Sequence, residues 1–141
     1  MILLVNGPNL AQLGSRDPAV YGTVTLAEVV ATARVEHPDL EAFQSESEAA
    51  LVRRLHRART DGTEAVVINP GAFTHYSYAL RDALDLLTVP KVEVHLSQTH
   101  ARESFRRTSV VSPVVDVTIT GAGAFGYRLA IQAALHLMGA R

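Results

Sequence analysis

Four polar residues spaced two apart, Lys91, Glu93, His95 and Ser97, alternate with Val92, Val94 and Leu96. On an extended strand that period puts all four on one face. A carboxylate two positions before an imidazole can fix its tautomer and raise its basicity, the arrangement that orients a catalytic histidine. An edge strand with one solvated face gives the same pattern. Lys91 stands about 13 Å from His95 at roughly 3.3 Å per residue, so it belongs to the far end of such a strand.

Polar residues also gather just after other apolar runs. Met1–Val5 leads into Asn6-Gly7-Pro8-Asn9, and Ala65–Ile68 leads into Asn69-Pro70-Gly71. A single Asn in such a place forms a turn; three polar strand ends, one with a histidine, suggest a shared site. The stretch Gly14–Gly22 is long, bounded by glycines and follows a strand, where functional loops concentrate. Its chemical groups are Arg16 and Tyr21, and an arginine beside a tyrosine favours the phenolate. His75 follows Thr74, taken as a helix cap, which would set the imidazole at a helix N-terminus where anions bind. Arg102 and Arg106, four apart, suit an anionic or polyhydroxylated ligand, or equally a solvated face.

The elements that must hold these groups alternate regularly. Strand-like runs fall at Met1–Val5, Leu40–Gln44, Ala65–Ile68, Val92–Leu96 and Val114–Ile119. Between them lie helical stretches. Thr25 and Glu28 form a capping box ahead of Leu26, Val29, Val30 and Ala33, and His37-Pro38 ends that helix. Ser45–Glu48 predicts a second capping box, for a helix through about Thr60 whose outer face carries Arg53, Arg54 and Arg57. Thr74 is the expected cap of a helix with Leu80, Ala83, Leu84 and Leu87 on one side, and Ala124–Leu137 closes the chain. Strands alternating with helices predict a parallel sheet covered on both faces. The expected fold is α/β, a flavodoxin-like three-layer sandwich with strand order 2-1-3-4-5, over residues 1–141 as one domain with a lid at about 10–22. In that order strands 1, 3 and 4 are neighbours, and ligands bind beyond their carboxyl ends.

Composition narrows the chemistry. The chain has 141 residues, a formal charge of -1 and no cysteine, which removes disulfides, thiolate nucleophiles and cysteine metal sites. Near-neutral charge argues against nucleic acid as a partner. The start, MILLVNGPN, reads as a buried strand rather than an address or a membrane span, so the expectation is a cytoplasmic protein without a membrane partner. Charged residues are 19% of the chain, below the usual figure of about 25%, a hint of surface hidden from water. The 13 basic residues include one lysine, so any lysine chemistry must use Lys91.

Gly121–Gly126 matches G-x-G-x-x-G, but a dinucleotide fold needs a further strand and an acidic residue about 20 positions on, which the chain does not supply. Those glycines are expected to serve a tight turn and close helix packing. Two other functions remain in play. A flavodoxin-like module binding FMN or acting as a receiver shares the fold, though a receiver needs acidic strand ends where Asn6, Asn9 and Asn69 stand. A metal hydrolase using His75, His95 and Glu93 lacks helical ligand spacing.

Taken in order, NGPNL at 6–10, RDPAVYG at 16–22, QSESE at 44–48, NPGAFTHYSYALRDA at 69–83, EVHLS at 93–97, HARESFR at 100–106 and GAGAFGYRLA at 121–130 resemble type II 3-dehydroquinate dehydratase. The resemblance covers nearly the whole chain. It implies loss of water from 3-dehydroquinate to give 3-dehydroshikimate, by anti elimination through an enolate. This is a step of the shikimate pathway, which leads through chorismate to the aromatic amino acids, and also of quinate breakdown. By motif, Tyr21 would be the base, Arg16 would stabilise its charge, and Asn9 would help hold a water at the enolate oxygen. His95 would be the general acid, oriented by Glu93. Asn69, His75, Ser97, the backbone at Leu96, and Arg106 would hold substrate, with Arg102 on the lid side and Asp82 reaching a neighbouring subunit's site. The assembly implied is a homododecamer of four trimers. The reaction needs a base, an acid and an oxyanion stabiliser, and neither redox cofactor nor metal. Against the family pattern, Gln98 replaces the usual Asn, Tyr76 and Tyr78 replace smaller residues, and Ala11-Gln12 alter the lid's start. Tyr76 therefore bears on substrate fit or on a subunit contact.

Overall fold

The computed structural model describes residues 1–139. Five parallel strands form one sheet in the order β2-β1-β3-β4-β5, with β1 at Ile2–Asn6, β2 at Leu40–Gln44, β3 at Ala65–Asn69, β4 at Lys91–His95 and β5 at Val117–Thr120. Central strands covered on both sides must be apolar throughout, and β1 and β3 are: residues 2–5 and 65–68 are fully buried. Alternate side chains feed two cores. Ile2, Leu4, Val67, Val92 and Val94 face helices α2 (Leu26–Glu36) and α5 (Phe125–Gly139). Leu3, Val5, Val66 and Ile68 face α3 (Glu48–Ala58) and α4 (Tyr78–Asp85). The result is the expected three-layer sandwich.

Local chemistry sets most boundaries. The Thr25–Glu28 capping box is present in both directions, worth about 1 kcal/mol by the usual cost of losing a cap. Helix α3 is capped by Ser47, which accepts from the Ala50 N–H, not by Ser45, and it ends at Ala58. Glu48 is thereby free to accept from the Ser77 hydroxyl at 2.7 Å, joining α3 to the start of α4. Arg54 points inward, not outward. It lies three residues after buried Leu51 and pairs with Glu41 at 3.0 Å and Asp61 at 2.9 Å. A guanidinium can be buried in this way only where carboxylates compensate its lost hydration.

The largest departure concerns Thr74. Residues Gly71–His75 form a 3-10 turn, and the helix after it starts at Tyr78 with Ser77 as its cap. His75 therefore ends a 3-10 turn and does not sit at an α-helix N-terminus. The apolar face expected of that helix is intact, with Leu80, Ala83, Leu84 and Leu87 all buried. Ser112–Val114 is another 3-10 turn, so β5 starts three residues later than its apolar run suggests. In the segment after β1, Leu10 and Leu13 are anchored in the core, and a four-residue helix, α1 (Pro18–Tyr21), is capped by Asp17. Among the described residues no helix is long and apolar enough to cross a membrane.

Candidate active site

The carboxyl ends of β1 and β3 finish level, with Asn6 and Asn69 as their last rung. Their continuations are reversed in order, Gly7-Pro8 against Pro70-Gly71, and the loops interlock. A Cβ on Gly7 would lie 2.5 Å from the Pro70 carbonyl oxygen, and one on Gly71 would lie 3.0 Å from that of Pro8. The Gly7 N–H donates to the Asn69 carbonyl at 2.8 Å. Asn9 follows with φ at 69°, a left-handed conformation that Asn tolerates better than most residues. Its N–H donates to Glu46 at 2.8 Å, and Gln44 bridges Glu46 to the Gly7 carbonyl. The QSESE block thus fixes the loop that presents Asn9.

Next to this floor, Ile68 pairs with Glu93, so His95 stands two residues beyond that rung. The strand is interior, between β3 and β5, and Glu93 is wholly buried. A buried carboxylate needs donors on its oxygens, and this one has several. His95 Nε2 donates at 2.6 Å, the Ser112 hydroxyl donates at 2.6 Å, and the Thr74 hydroxyl makes a short bond, backed by Ser109. Burial alone pushes the Glu93 carboxyl up; the His95, Ser112 and Thr74 bonds more than offset this and hold it below its ordinary value. The Glu93 bond fixes a proton on His95 Nε2 and leaves Nδ1 as the nitrogen able to exchange a proton.

Tyr21 lies among arginines. Arg16 stacks on its ring, 3.7 Å from the centroid, while Arg102 donates to the phenol oxygen at 2.9 Å and to the Ser97 hydroxyl at 3.1 Å. His75 Nδ1 donates to the Thr108 carbonyl at 2.8 Å, which leaves Nε2 as an acceptor. Burial lowers the His75 imidazole's proton affinity against the opposing Thr108 bond, and the His95 and Arg106 charges add to the lowering.

These groups share one cleft of about 560 Å³, counted with its open mouth. Asn9, Arg16, Tyr21, Asn69, His75, His95, Leu96, Ser97, Arg102 and Arg106 all line it. Glu93 stands behind His95, and Asp82 is exposed on α4 outside the cleft of its own chain. Lys91 is at the opposite end of β4, where its ammonium donates to the Leu87 carbonyl at 2.6 Å. The glycine-rich turn has a packing role: the Gly123 N–H donates to the Leu96 carbonyl at 2.9 Å, and Gly126 lies against Val94. Sequence reasoning missed Thr74, Ser109 and Ser112 as partners of Glu93. A buried acid on an interior strand was the signal that hydroxyl donors had to lie nearby.

The family model described as Dehydroquinase class II matches residues 1–135. The chain belongs to this family. It is 53% identical over 135 residues to a 3-dehydroquinate dehydratase of Thermotoga neapolitana, covering 93% of this chain and 91% of the relative. It is 51% identical over 137 residues to a catabolic 3-dehydroquinase of Sclerotinia sclerotiorum, covering 93% and 89%. Among solved structures, the type II dehydroquinase of Butyrivibrio crossotus superposes with a TM-score of 0.93 at 41% identity, covering 95% of this chain and 96% of the other. That of Propionibacterium acnes gives 0.90 at 45% identity, covering 95% of each. Membership of the class II dehydroquinases sets aside the flavin-module, receiver and metal-hydrolase readings.

Proposed function

We propose that in this dehydroquinase Tyr21 and His95 divide the proton transfers that convert 3-dehydroquinate to 3-dehydroshikimate. The observation that carries the assignment is their pairing in one cleft: a phenol faced by two guanidiniums, and an imidazole backed by a buried carboxylate. Tyr21 as phenolate takes the proton from the carbon beside the ketone. The electron pair moves into an enolate, whose oxygen is stabilised by a water held at Asn9. As the enolate collapses, the carbon–oxygen bond β to the ketone breaks, and His95 Nδ1–H protonates the departing hydroxyl so that it leaves as water. Arg16 and Arg102 offset the negative charge on the base; Glu93 offsets the positive charge on His95. No electrons leave the substrate, so the elimination itself calls for no redox cofactor.

Asn69, His75, Ser97, the Leu96 N–H and Arg106 bind the hydroxyls and carboxylate of the substrate in this reading. Adding 3-dehydroquinate to the protein and following the ultraviolet absorbance of the conjugated enone tests it; folded protein without signal defeats it. The reading extends to assembly as a homododecamer of trimers, with Asp82 reaching a neighbour's cleft, and to the cytoplasm as the place of action. Exposed Tyr76, Tyr78, Leu86 and Phe105 support association, as apolar groups that water alone covers poorly. Tyr76, 59% exposed, bears on such a contact more than on substrate fit, since it does not line the cleft.

A further inference from the structure

Tyr127, in the first turn of α5, is buried and reaches over the sheet to the last rung of β1 and β3. Its hydroxyl donates to Asn6 Oδ1 at 2.7 Å and accepts from Asn69 Nδ2 at 2.9 Å. Asn69 Oδ1 in turn accepts from the Gly71 N–H at 3.1 Å. Both ends of the Asn69 carboxamide are therefore specified. A flipped amide would set its NH2 against the Gly71 N–H and its oxygen against a hydroxyl already committed to Asn6. One hydrogen of Nδ2 is left over, and Asn69 lines the cleft.

We propose that Tyr127 is a positioning residue for substrate binding, which locks the Asn69 amide so that its remaining Nδ2 hydrogen is offered to a substrate oxygen in the cleft. Asn6 does not line the cleft and serves as the acceptor that keeps the Tyr127 hydroxyl turned to receive Asn69. The helix that carries Tyr127 thus takes part in ligand selection from outside the cleft. The inference rests on the reading of Asn69 as a substrate contact.

The test is a double-mutant cycle on steady-state constants with 3-dehydroquinate, using Tyr127→Phe, Asn69→Ala and the pair. Tyr127→Phe is expected to raise KM about fivefold, the size of one ordinary hydrogen bond, with kcat within about twofold. In the Asn69→Ala background it is expected to change KM no further, because a residue acting through Asn69 has nothing left to act on. Asn6→Ala is to be run in the same cycle and takes the place of Tyr127→Phe if that variant does not fold. Additive effects on KM, or a loss confined to kcat, overturn the proposal. An unchanged KM in Asn69→Ala alone removes the substrate contact itself, a separate failure of the underlying assignment.

Discussion

Arg102 donates to the Tyr21 phenol oxygen at 2.9 Å across 81 positions of sequence, and the same guanidinium reaches Ser97 beyond β4. One planar fork therefore ties the lid-side segment to the strand that carries His95. Lysine has a single point charge and cannot reproduce a fork that serves two acceptors. Arg102→Ala and Arg16→Ala are each expected to lower kcat by about 10²-fold or more, the usual effect of losing a group that stabilises developing charge. Arg102→Lys should recover only part of the loss, and steady-state kinetics decides.

Removing the acid or the base should be more severe. His95→Ala and Tyr21→Phe are expected to cut kcat by roughly 10³-fold or more, toward the upper end of general acid–base contributions. Circular dichroism should match the parent for both, and thermal unfolding should match for Tyr21→Phe, since Tyr21 is only half-buried; His95→Ala should unfold at a lower temperature, because it takes a donor from the buried Glu93 carboxylate. Either variant turning over at a rate near the parent's defeats its assigned role.

The hydroxyl donors around Glu93 should be visible in the pH profile. The carboxyl is held below its ordinary value, so the stability it contributes is complete above that value and is lost as pH falls through the lowered one. Ser112→Ala or Thr74→Val removes a donor, raises the carboxyl toward its ordinary value or above, and so leaves less of that stability and completes its loss at higher pH. The acid limb of kcat/KM and the acid-unfolding midpoint should both move up in pH. A profile that superposes on the parent's would show that these hydroxyls do not hold the charge.

Lysine chemistry is not expected. Lys91 lies at the amino end of β4, with its ammonium on the Leu87 carbonyl, far from His95 at the other end. Borohydride added with substrate should leave activity unchanged, with no mass added to the protein. Covalent trapping at Lys91 would contradict the proposed elimination.

Association should be needed for full affinity. Asp82 is exposed and outside its own chain's cleft. Sedimentation is expected to find an assembly, and Asp82→Ala to raise KM by about three- to tenfold, the loss of one hydrogen bond. A stable and fully active monomer would refute the link between assembly and site.

The strands and the polar residues of the cleft were legible in the sequence because each depends on local pattern, and the sheet order followed as the usual one for five strands in a domain of this size. Buried strands read as apolar runs, and polar strand ends in a parallel sheet converge by topology. The period of two along Lys91–Ser97 gave the side of β4 on which Glu93 meets His95. What escaped depends on partners distant in sequence. Thr74 has the composition of a cap, yet its hydroxyl goes to a carboxylate on another strand, and Ser77 caps the helix in its place. Arg54 fits a solvated stripe until Glu41 and Asp61, from the strand before and the loop after, are placed beside it. Tyr127 directly follows the glycine pattern at Gly121–Gly126, and its bonds to Asn6 and Asn69 cross 121 and 58 positions of sequence.

The interlocked loops at the ends of β1 and β3 limit how this chain can change. Gly7 faces the Pro70 carbonyl, and Gly71 faces the carbonyl and the rigid ring of Pro8. A larger residue at Gly7 has no compensating exchange in the other loop, because the obstructing carbonyl belongs to every amino acid, and at Gly71 the left-handed backbone itself disfavours any side chain. Substitutions there cannot be reached through a tolerated intermediate, so the two loops are free to vary only together and only by moving the main chain. Directed evolution toward a new substrate should therefore find its accepted changes on the Tyr21 side of the cleft and almost none on the asparagine floor.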